Sequence, residues 1–450
     1  MKKRLAYVFC IAIGLLAFNP AFSASAKAST VKSTTPKGVD NLVNVINQTL
    51  LQNPRIIASR LTVASEHHAV REARGAYFPQ IALSAEYGRE RTQGQSNNNT
   101  LWRKDYGATL TQLLFDGGAT SATVAASKAN YRLSQSQYNE ALVLVAQGTV
   151  ESYINVLRWR AIVAAYRRNV ASHVRMRKLI RQRTQLGAGK ISDQQLIESR
   201  LALARSRLEN ALEQLEQASF TYEQFTGELP KRLSAVGQPG PLPATLEQAL
   251  HVALRNNPSL QSSREQIEAA RQNTRQARAA YWPTLDLNVS KNFRYDQDGT
   301  QGPNHDAMAT VSGNYTVWDG GARGARVKSR YQAYLSRVYD YRESLRATVS
   351  SVKTAWSFLK RSGRDLAVLA RHKKESLEVY HSYRQEFDIS QRTLFDLLNS
   401  ESEYYNASVS YINARSDWLF DHYRLLGAMG TIVPYFNDHT AFKHDLELHA

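Results

Sequence analysis

A nine-residue phrase occurs twice in this chain of 450 residues, and it constrains the fold more than any other feature. The first copy is Arg71-Glu72-Ala73-Arg74-Gly75-Ala76-Tyr77-Phe78-Pro79, and the second is Arg275-Gln276-Ala277-Arg278-Ala279-Ala280-Tyr281-Trp282-Pro283. Their offset is 204 (281 − 77). Each copy reads as the end of an Ala- and Arg-rich helix closed by a proline, which has no N–H to donate and disfavours helix in the residue before it. Beyond each proline the pattern alternates, as Gln80-Ile81-Ala82-Leu83-Ser84-Ala85 and Thr284-Leu285-Asp286-Leu287-Asn288-Val289. The apolar period thus changes from about 3.6 to 2, so a helix hands over to a half-apolar strand at two places.

The halves match well beyond this phrase. Asn53-Pro54 answers Asn257-Pro258 at the same offset, and both read as an Asn cap with proline at the first helical position. Leu114-Phe115-Asp116-Gly117-Gly118-Ala119 answers Val317-Trp318-Asp319-Gly320-Gly321-Ala322 at an offset of 203 (319 − 116). Tyr131, Asp193 and Gly227 have counterparts in Tyr334, Asp396 and Gly430 at that offset. One residue is therefore lost between the strands of the second unit. A repeated unit of this size is a duplication, and Gly237 to Pro243 forms a Pro/Gly linker between its copies.

The expected division is a secretory signal peptide over 1–26, a first repeat over 27–236, a linker over 237–244, a second repeat over 245–435 and a polar tail over 436–450. The signal is read from Lys2, Lys3 and Arg4, an apolar run over 5–18 and small residues ending at Ala26. The single cysteine, Cys10, lies inside that run. Within each repeat a shorter helical region (39–75, 246–279) precedes two strands, expected at 80–91 and 104–115 and at 284–295 and 307–318. Polar loops join the strands over 92–99 and 296–305. Proline-free tracts rich in Ala, Leu, Arg, Gln and Glu then predict very long helices, the first broken near Gly187.

The formal charge is +18, or +15 without the three basic residues of the signal (18 − 3). The basic residues lie along helices such as 167–178 rather than around aromatics, a pattern of solvated helix faces that gives no ground for nucleic-acid binding. No long uncharged run follows residue 26, so a membrane role must come from strands. Strands of about ten residues suit an outer-membrane barrel, but four cannot close one, because the smallest use about eight and lipid tolerates no open edge. The chain is expected to complete its sheet with further copies of itself. Tyr77, Phe78, Phe115, Tyr281, Trp282 and Trp318 fall at the helix-side strand ends, where an interfacial girdle would lie. A soluble four-stranded sheet with one wet face is the competing reading.

The duplicated Asn-Pro, Tyr-Phe/Trp-Pro and Phe/Trp-Asp-Gly-Gly motifs resemble the TolC family of outer-membrane factors over essentially the whole mature chain. The resemblance implies a mainly α-helical protein with a transmembrane β segment, assembled as a homotrimer. Its 12-stranded β-barrel would be continued by a long periplasmic α-helical barrel. It implies an exit duct in the outer membrane, working with a periplasmic adaptor and an inner-membrane ABC or proton-driven pump, for type I protein secretion, efflux of small toxic compounds, or both. The lack of an acylation signal resembles the non-lipidated, secretion-type branch.

The same resemblance assigns a gate to the helix–helix turns. The family's closing links map onto Arg392 in the second turn and Ser192 and Asp193 in the first. A linking Tyr of the family maps onto Phe387, which has no hydroxyl. The family's acidic constriction maps onto Asp396 and Asn399, leaving one carboxylate per protomer. Read from spacing alone, Arg392 and Asp396 stand at i and i+4 and form a weak helical ion pair.

Enzymatic motifs fail on inspection. Gly187-Ala188-Gly189-Lys190 lacks the first glycine of a phosphate-binding loop, since that position is Thr184. Glu66-His67-His68 lacks the second His at helical spacing that a zinc site needs. His439, His444 and His449 lie in the expected tail. No catalytic residue, cofactor or metal is expected. The alternative of another class is a trimeric coiled-coil surface protein or adhesin, which would not insert a strand pair in each of two halves.

Overall fold

The computed structural model describes residues 40–94, 98–237 and 240–438. The expected signal peptide, part of the first hairpin loop, part of the linker and the three tail histidines lie outside the described residues.

The two repeats fold to the same parts in the same order. The first runs α1 (Leu42–Gln52), α2 (Pro54–Gly75), β1 (Gln80–Gln93), β2 (Asn98–Phe115), α3 (Ala119–Gln185) and α4 (Ile191–Thr226). The second runs α5 (Leu246–Asn256), α6 (Pro258–Ala279), β3 (Thr284–Gln297), β4 (Thr300–Asn314), α7 (Ala322–Asp388) and α8 (Leu394–Ala428), and α9 (Ile432–Asp438) follows. The helices α3 and α7 have 67 residues each. At 1.5 Å per residue each is ~100 Å long. Both begin at the second glycine of Asp-Gly-Gly, with φ of 86° at Gly118 and 88° at Gly321. Asp116 caps the first by accepting from Gly118 N at 2.9 Å and Thr120 N at 2.6 Å; Asp319 accepts from Gly321 N at 3.1 Å and Arg323 N at 2.8 Å.

The Asn-Pro breaks behave as caps and do more. Asn53 Oδ1 accepts from Arg55 N at 3.0 Å while its amide donates to Phe225 O at 3.0 Å. Asn257 repeats this with Ser259 N at 3.0 Å and Ala428 O at 3.1 Å. Each Asn thus ties its helix start to the far end of the return helix of its own repeat, satisfying backbone groups that a helix end leaves open.

The four strands form one antiparallel sheet in the order β1-β2-β3-β4. The hairpins are longer than expected at their loop ends. Thr92 pairs with Asn99 and Gln93 with Asn98, although the polar composition of that stretch reads as loop. In the second hairpin Gln297 pairs with Thr300 across Asp298-Gly299, with φ of 54° and 73°, the positive pair that a tight primed turn requires. At the helix side β4 stops at Asn314 instead of Trp318. The cause is topological: β4 is an edge whose partner β3 begins at Thr284, paired to Asn314, so residues 315–317 have nothing to pair with. Pro303 in β4 fits the same edge position.

The main core lies between the helices at mid-height. Leu142, Val145, Val150, Tyr153 and Val156 of α3 meet Val352 and Ala355 of α7 and Leu425 of α8 there. The Tyr153 hydroxyl lies 2.8 Å from Asp40 O and 2.7 Å from Ser234 O, tying the start of the described chain to the segment that precedes the linker. The expected boundary at 435 falls inside α9, whose Phe436 is 1 % exposed and packs in this core.

Candidate functional site

Two surfaces carry chemistry: the faces of the sheet and the paired helix turns far from it. The strand pleat separates side chains cleanly. Ser84, Glu86, Glu90, Arg103, Asp105, Thr109, Thr111, Asn288, Ser290, Asn292, Arg294, Asp306, Thr310 and Ser312 share one face by register. It is cross-linked: Arg294 reaches Asp306 at 2.9 Å and Asp105 at 3.4 Å, and Arg103 reaches Asp105 at 3.2 Å and Glu86 at 3.5 Å. Thr111 donates to Asn288 at 3.0 Å, and Asn288 to Ser312 at 2.9 Å. The opposite face carries Ile81, Leu83, Tyr106, Ala108, Leu110, Leu287, Val289, Phe293 and Val311.

At the helix-side end of the sheet stand the six aromatics singled out from sequence. Tyr77, Phe78, Phe115, Tyr281, Trp282 and Trp318 are exposed, from 41 % at Phe115 to 83 % at Trp318. Phe115 and Trp282 meet edge to face at 6.5 Å, and Arg323 lies 5.6 Å from the Tyr281 ring. Gly117 is required between them, because a Cβ there would fall 2.6 Å from the Trp282 Cβ and 2.7 Å from Ala279 O.

The two helix turns are copies in hydrogen bonding as well as in sequence. Gly187 N donates to Thr184 O and Ala188 N to Arg183 O; Ser390 N donates to Phe387 O and Gln391 N to Glu386 O. Gly187 has φ of 77° and Ser390 takes the same left-handed conformation at 63°. A non-glycine residue rarely adopts it.

Ser192 and Asp193 lie in the first turn of α4, where a carboxylate is favoured by the helix dipole. Arg392 does not pair with Asp396 within its helix turn. Its Nε donates to Glu386 Oε2 at 2.6 Å, and its guanidinium stands 4.2 Å from the Tyr383 ring. The bond to Glu386 holds the guanidinium pKa above its ordinary value. Asp396 accepts from the Thr393 hydroxyl at 2.7 Å, and its own N–H is capped by that oxygen at 3.2 Å. Asn399 accepts from Arg200 of α4 at 3.0 Å, a bond between the two hairpins. Phe387 is buried with Met176, Ile180, Ile197, Leu394, Leu397 and Leu398, and the Arg183 guanidinium covers its ring at 4.9 Å. It is an apolar plug joining α3, α4, α7 and α8.

Sequence reasoning missed the acids around Asp396. A cleft of 490 Å³ between α7 and α8 is lined by Asp396, Asn399, Glu375 and Glu403, with Ser376, Val379, Tyr383 and Ser400. Glu403 stands seven residues after Asp396, on one helix face, which was the available signal. His372 lies 3.2 Å from Glu403. Among the described residues no group of His, Cys, Asp and Glu has the arrangement of a metal site, and no helix is long and apolar enough to cross a membrane.

The sequence profile of the outer membrane efflux protein family matches residues 45–228 and 249–431, one match per repeat. Outer membrane efflux protein BepC of Brucella suis is 26% identical over 398 residues, covering 88% of this chain and 86% of its own. Outer membrane protein TolC of Escherichia coli K12 is 23% identical over 416 residues, covering 87% and 83%. The crystal structure of the Campylobacter jejuni CmeC outer membrane channel superposes with a TM-score of 0.77 at 17% identity, covering 87% of this chain and 86% of that one. With its duplicated halves each matched by the family profile, the chain belongs to the outer membrane efflux protein family and is a protein of the outer membrane.

Proposed function

We propose that three copies of this chain form the gated exit duct of a tripartite export system, with a 12-stranded barrel in the outer membrane and a helical barrel reaching through the periplasm. The supporting observation is the sheet. It has one apolar and one polar face and two unpaired edges, β1 and β4. From Leu285 to Tyr295 the apolar face runs ten residue steps (295 − 285). At ~3.3 Å per residue and a tilt of about 45° it rises about 23 Å, close to the ~25 Å apolar band of an outer-membrane barrel.

The duplication supplies the register of the missing seam. Moving β1 by 204 and β2 by 203 carries Gln80↔Thr111 onto Thr284↔Asn314, which is the pairing observed between β3 and β4. The same shifts applied to β2 and β3 carry Thr111↔Asn288 onto Asn314 and Ser84 of the next copy. Residues 315–317 then gain the partners they lack within one protomer.

In this assembly the polar sheet face lines the pore. Tyr77, Phe78, Phe115, Tyr281, Trp282 and Trp318 form the periplasmic girdle. The helix turns close the far end, with Arg392 exchanging Glu386 for Ser192 and Asp193 of a neighbouring hairpin in the closed lock. Asp396 and Asn399 form the constriction, and Glu375 and Glu403 add to its negative charge. The duct carries secreted protein or small toxic compounds delivered by an adaptor and an inner-membrane pump.

The seam is tested with Ser84→Cys and Asn314→Cys together, treated with a short bifunctional thiol reagent in isolated outer membranes. Covalent trimers are expected from the double variant and monomers from either single one. Only monomers from the double variant, in protein that reaches the outer membrane, would refute the closed 12-stranded ring.

A further inference from the structure

The charges of the sheet are sorted by face. Within the paired strands Glu86, Glu90, Asp105, Asp286 and Asp306 all project on the polar face, where Arg103 and Arg294 answer them. The apolar face carries Arg89, Arg91, Lys104 and Lys291 and no carboxylate. Charged residues on a lipid-facing surface are costly near mid-bilayer and tolerated near its edges. Three of these four lie in or beyond the last aromatic rows, at the end of the sheet away from the helices. Lys104 shares its row with Tyr87 and Tyr295, and Arg89 is directly opposite Trp102. Lys291 lies deeper, and its amine reaches to 5.3 Å from the Phe293 ring. That is the snorkelling a long cation performs to bring its charge to an interface.

None of Arg89, Lys104 and Lys291 has a carboxylate partner among the described residues, and all three are exposed. Applying the register of the seam, the β4 of a neighbouring copy brings Gln301, Pro303, His305, Ala307 and Ala309 to this face and no acid. Beside the cations, Tyr87 and Trp102 stack with ring centroids 5.4 Å apart, 67 % and 53 % exposed. A flat aromatic pair next to unpaired cations matches a ligand with both a sugar ring and phosphate. Arg and Lys bind phosphate oxygens through charge-assisted hydrogen bonds.

We propose that Arg89, Lys104 and Lys291, with the Tyr87–Trp102 pair, bind the phosphorylated sugar headgroup of a glycolipid in the outer leaflet. This rests on the reading of the sheet as membrane-embedded with its loops outward. The cations neutralise headgroup phosphates that would otherwise repel one another around the barrel, and the aromatic pair seats the sugar. Each protomer supplies one such site, so three surround the assembly.

The mature full-length protein, and a variant carrying Arg89→Gln and Lys104→Gln, are reconstituted into vesicles of neutral phospholipid. The vesicles are doped with a diphosphorylated diglucosamine lipid, its dephosphorylated form, or phosphatidylglycerol. Flotation reports insertion, and mass spectrometry of the released complexes counts each lipid retained. The expected result is preferential retention of the diphosphorylated glycolipid by about tenfold over the other two, lost in the variant while Lys374→Gln on α7 keeps it. Equal retention of the phosphorylated and dephosphorylated forms overturns the proposal. So does phosphatidylglycerol retained as well as the glycolipid, or a preference that survives in the double variant. Protein that fails to float overturns the membrane reading and this site with it, whereas protein that floats without preference overturns this site alone.

Discussion

Replacing Phe387 with alanine would separate the two helix hairpins at their turns while leaving the rest of the protein intact. The ring is 4 % exposed and touches residues of α3, α4 and α8, so its loss removes apolar contact from both hairpins at once. Deleting a buried phenylalanine costs about 3–5 kcal/mol, and a further ~0.5–1 kcal/mol goes with the Arg183 cation stacked on its face. The lower figure applies here, because a helix end relaxes more readily than a mid-height core. At ~1.4 kcal/mol per decade, about 3 kcal/mol raises the population of locally opened turns roughly 100-fold. Amide hydrogen exchange followed by mass spectrometry reads this directly. Peptides over 176–200 and 380–400 are expected to exchange about 100-fold faster in Phe387→Ala, and a peptide over 142–156 to be unchanged. Phe387→Leu keeps most of the apolar contact and is expected to lie between the two. Unchanged protection at the turns would refute the plug, and equal loss at 142–156 would show that the substitution acts on global stability instead.

Two further substitutions test the frame that carries these surfaces. Gly430→Ala places a Cβ 2.6 Å from Asn256 O and 2.9 Å from the Asn257 Cα at a residue with φ of 75°, so it should lower stability by more than ~1 kcal/mol, seen as a lower melting temperature. At Asp116 burial pushes the carboxyl pKa up, but hydrogen bonds from the Thr120 side chain and the Thr120, Gly118 and Ala119 backbone outweigh it and hold the pKa below the ordinary 3.8. Its stabilisation is therefore present above the unfolded pKa and lost as pH falls through the lower folded one. Asp116→Asn should flatten the fall in melting temperature below about pH 4.

The helices, strand positions and junctions follow from local pattern and were legible in the sequence. Asp-Gly-Gly and Asn-Pro announce their caps, and the period change after Pro79 and Pro283 announces the strands. The paired turns were legible too, through the duplication. What escaped were contacts between residues distant in the chain. The second bond of Asn53, to Phe225 O, spans 172 residues and leaves no trace in local periodicity. The burial of Phe436 depends on α9 folding back onto the mid-height core, so the last turn of that seven-residue helix reads as tail. Asp298-Gly299 was a readable hairpin turn hidden inside a polar run. Arg392 has Asp396 four residues ahead, yet chooses Glu386, because the left-handed Ser390 folds the chain back and brings Glu386 into reach.

The equal length of α3 and α7 has a consequence for how such a chain can change. Removing one residue from α3 alone would raise its turn by 1.5 Å and rotate everything beyond by about 100°, so its apolar residues would face away from the partner hairpin. A matched removal from α7 would restore the level of the two turns but not their facing. Only deletions close to whole numbers of helical turns, made in both helices and in their return partners together, keep height and facing at once. The two repeats therefore behave as a pair of rulers cut to one measure, and any lengthening or shortening of the column must occur in both copies or be rejected.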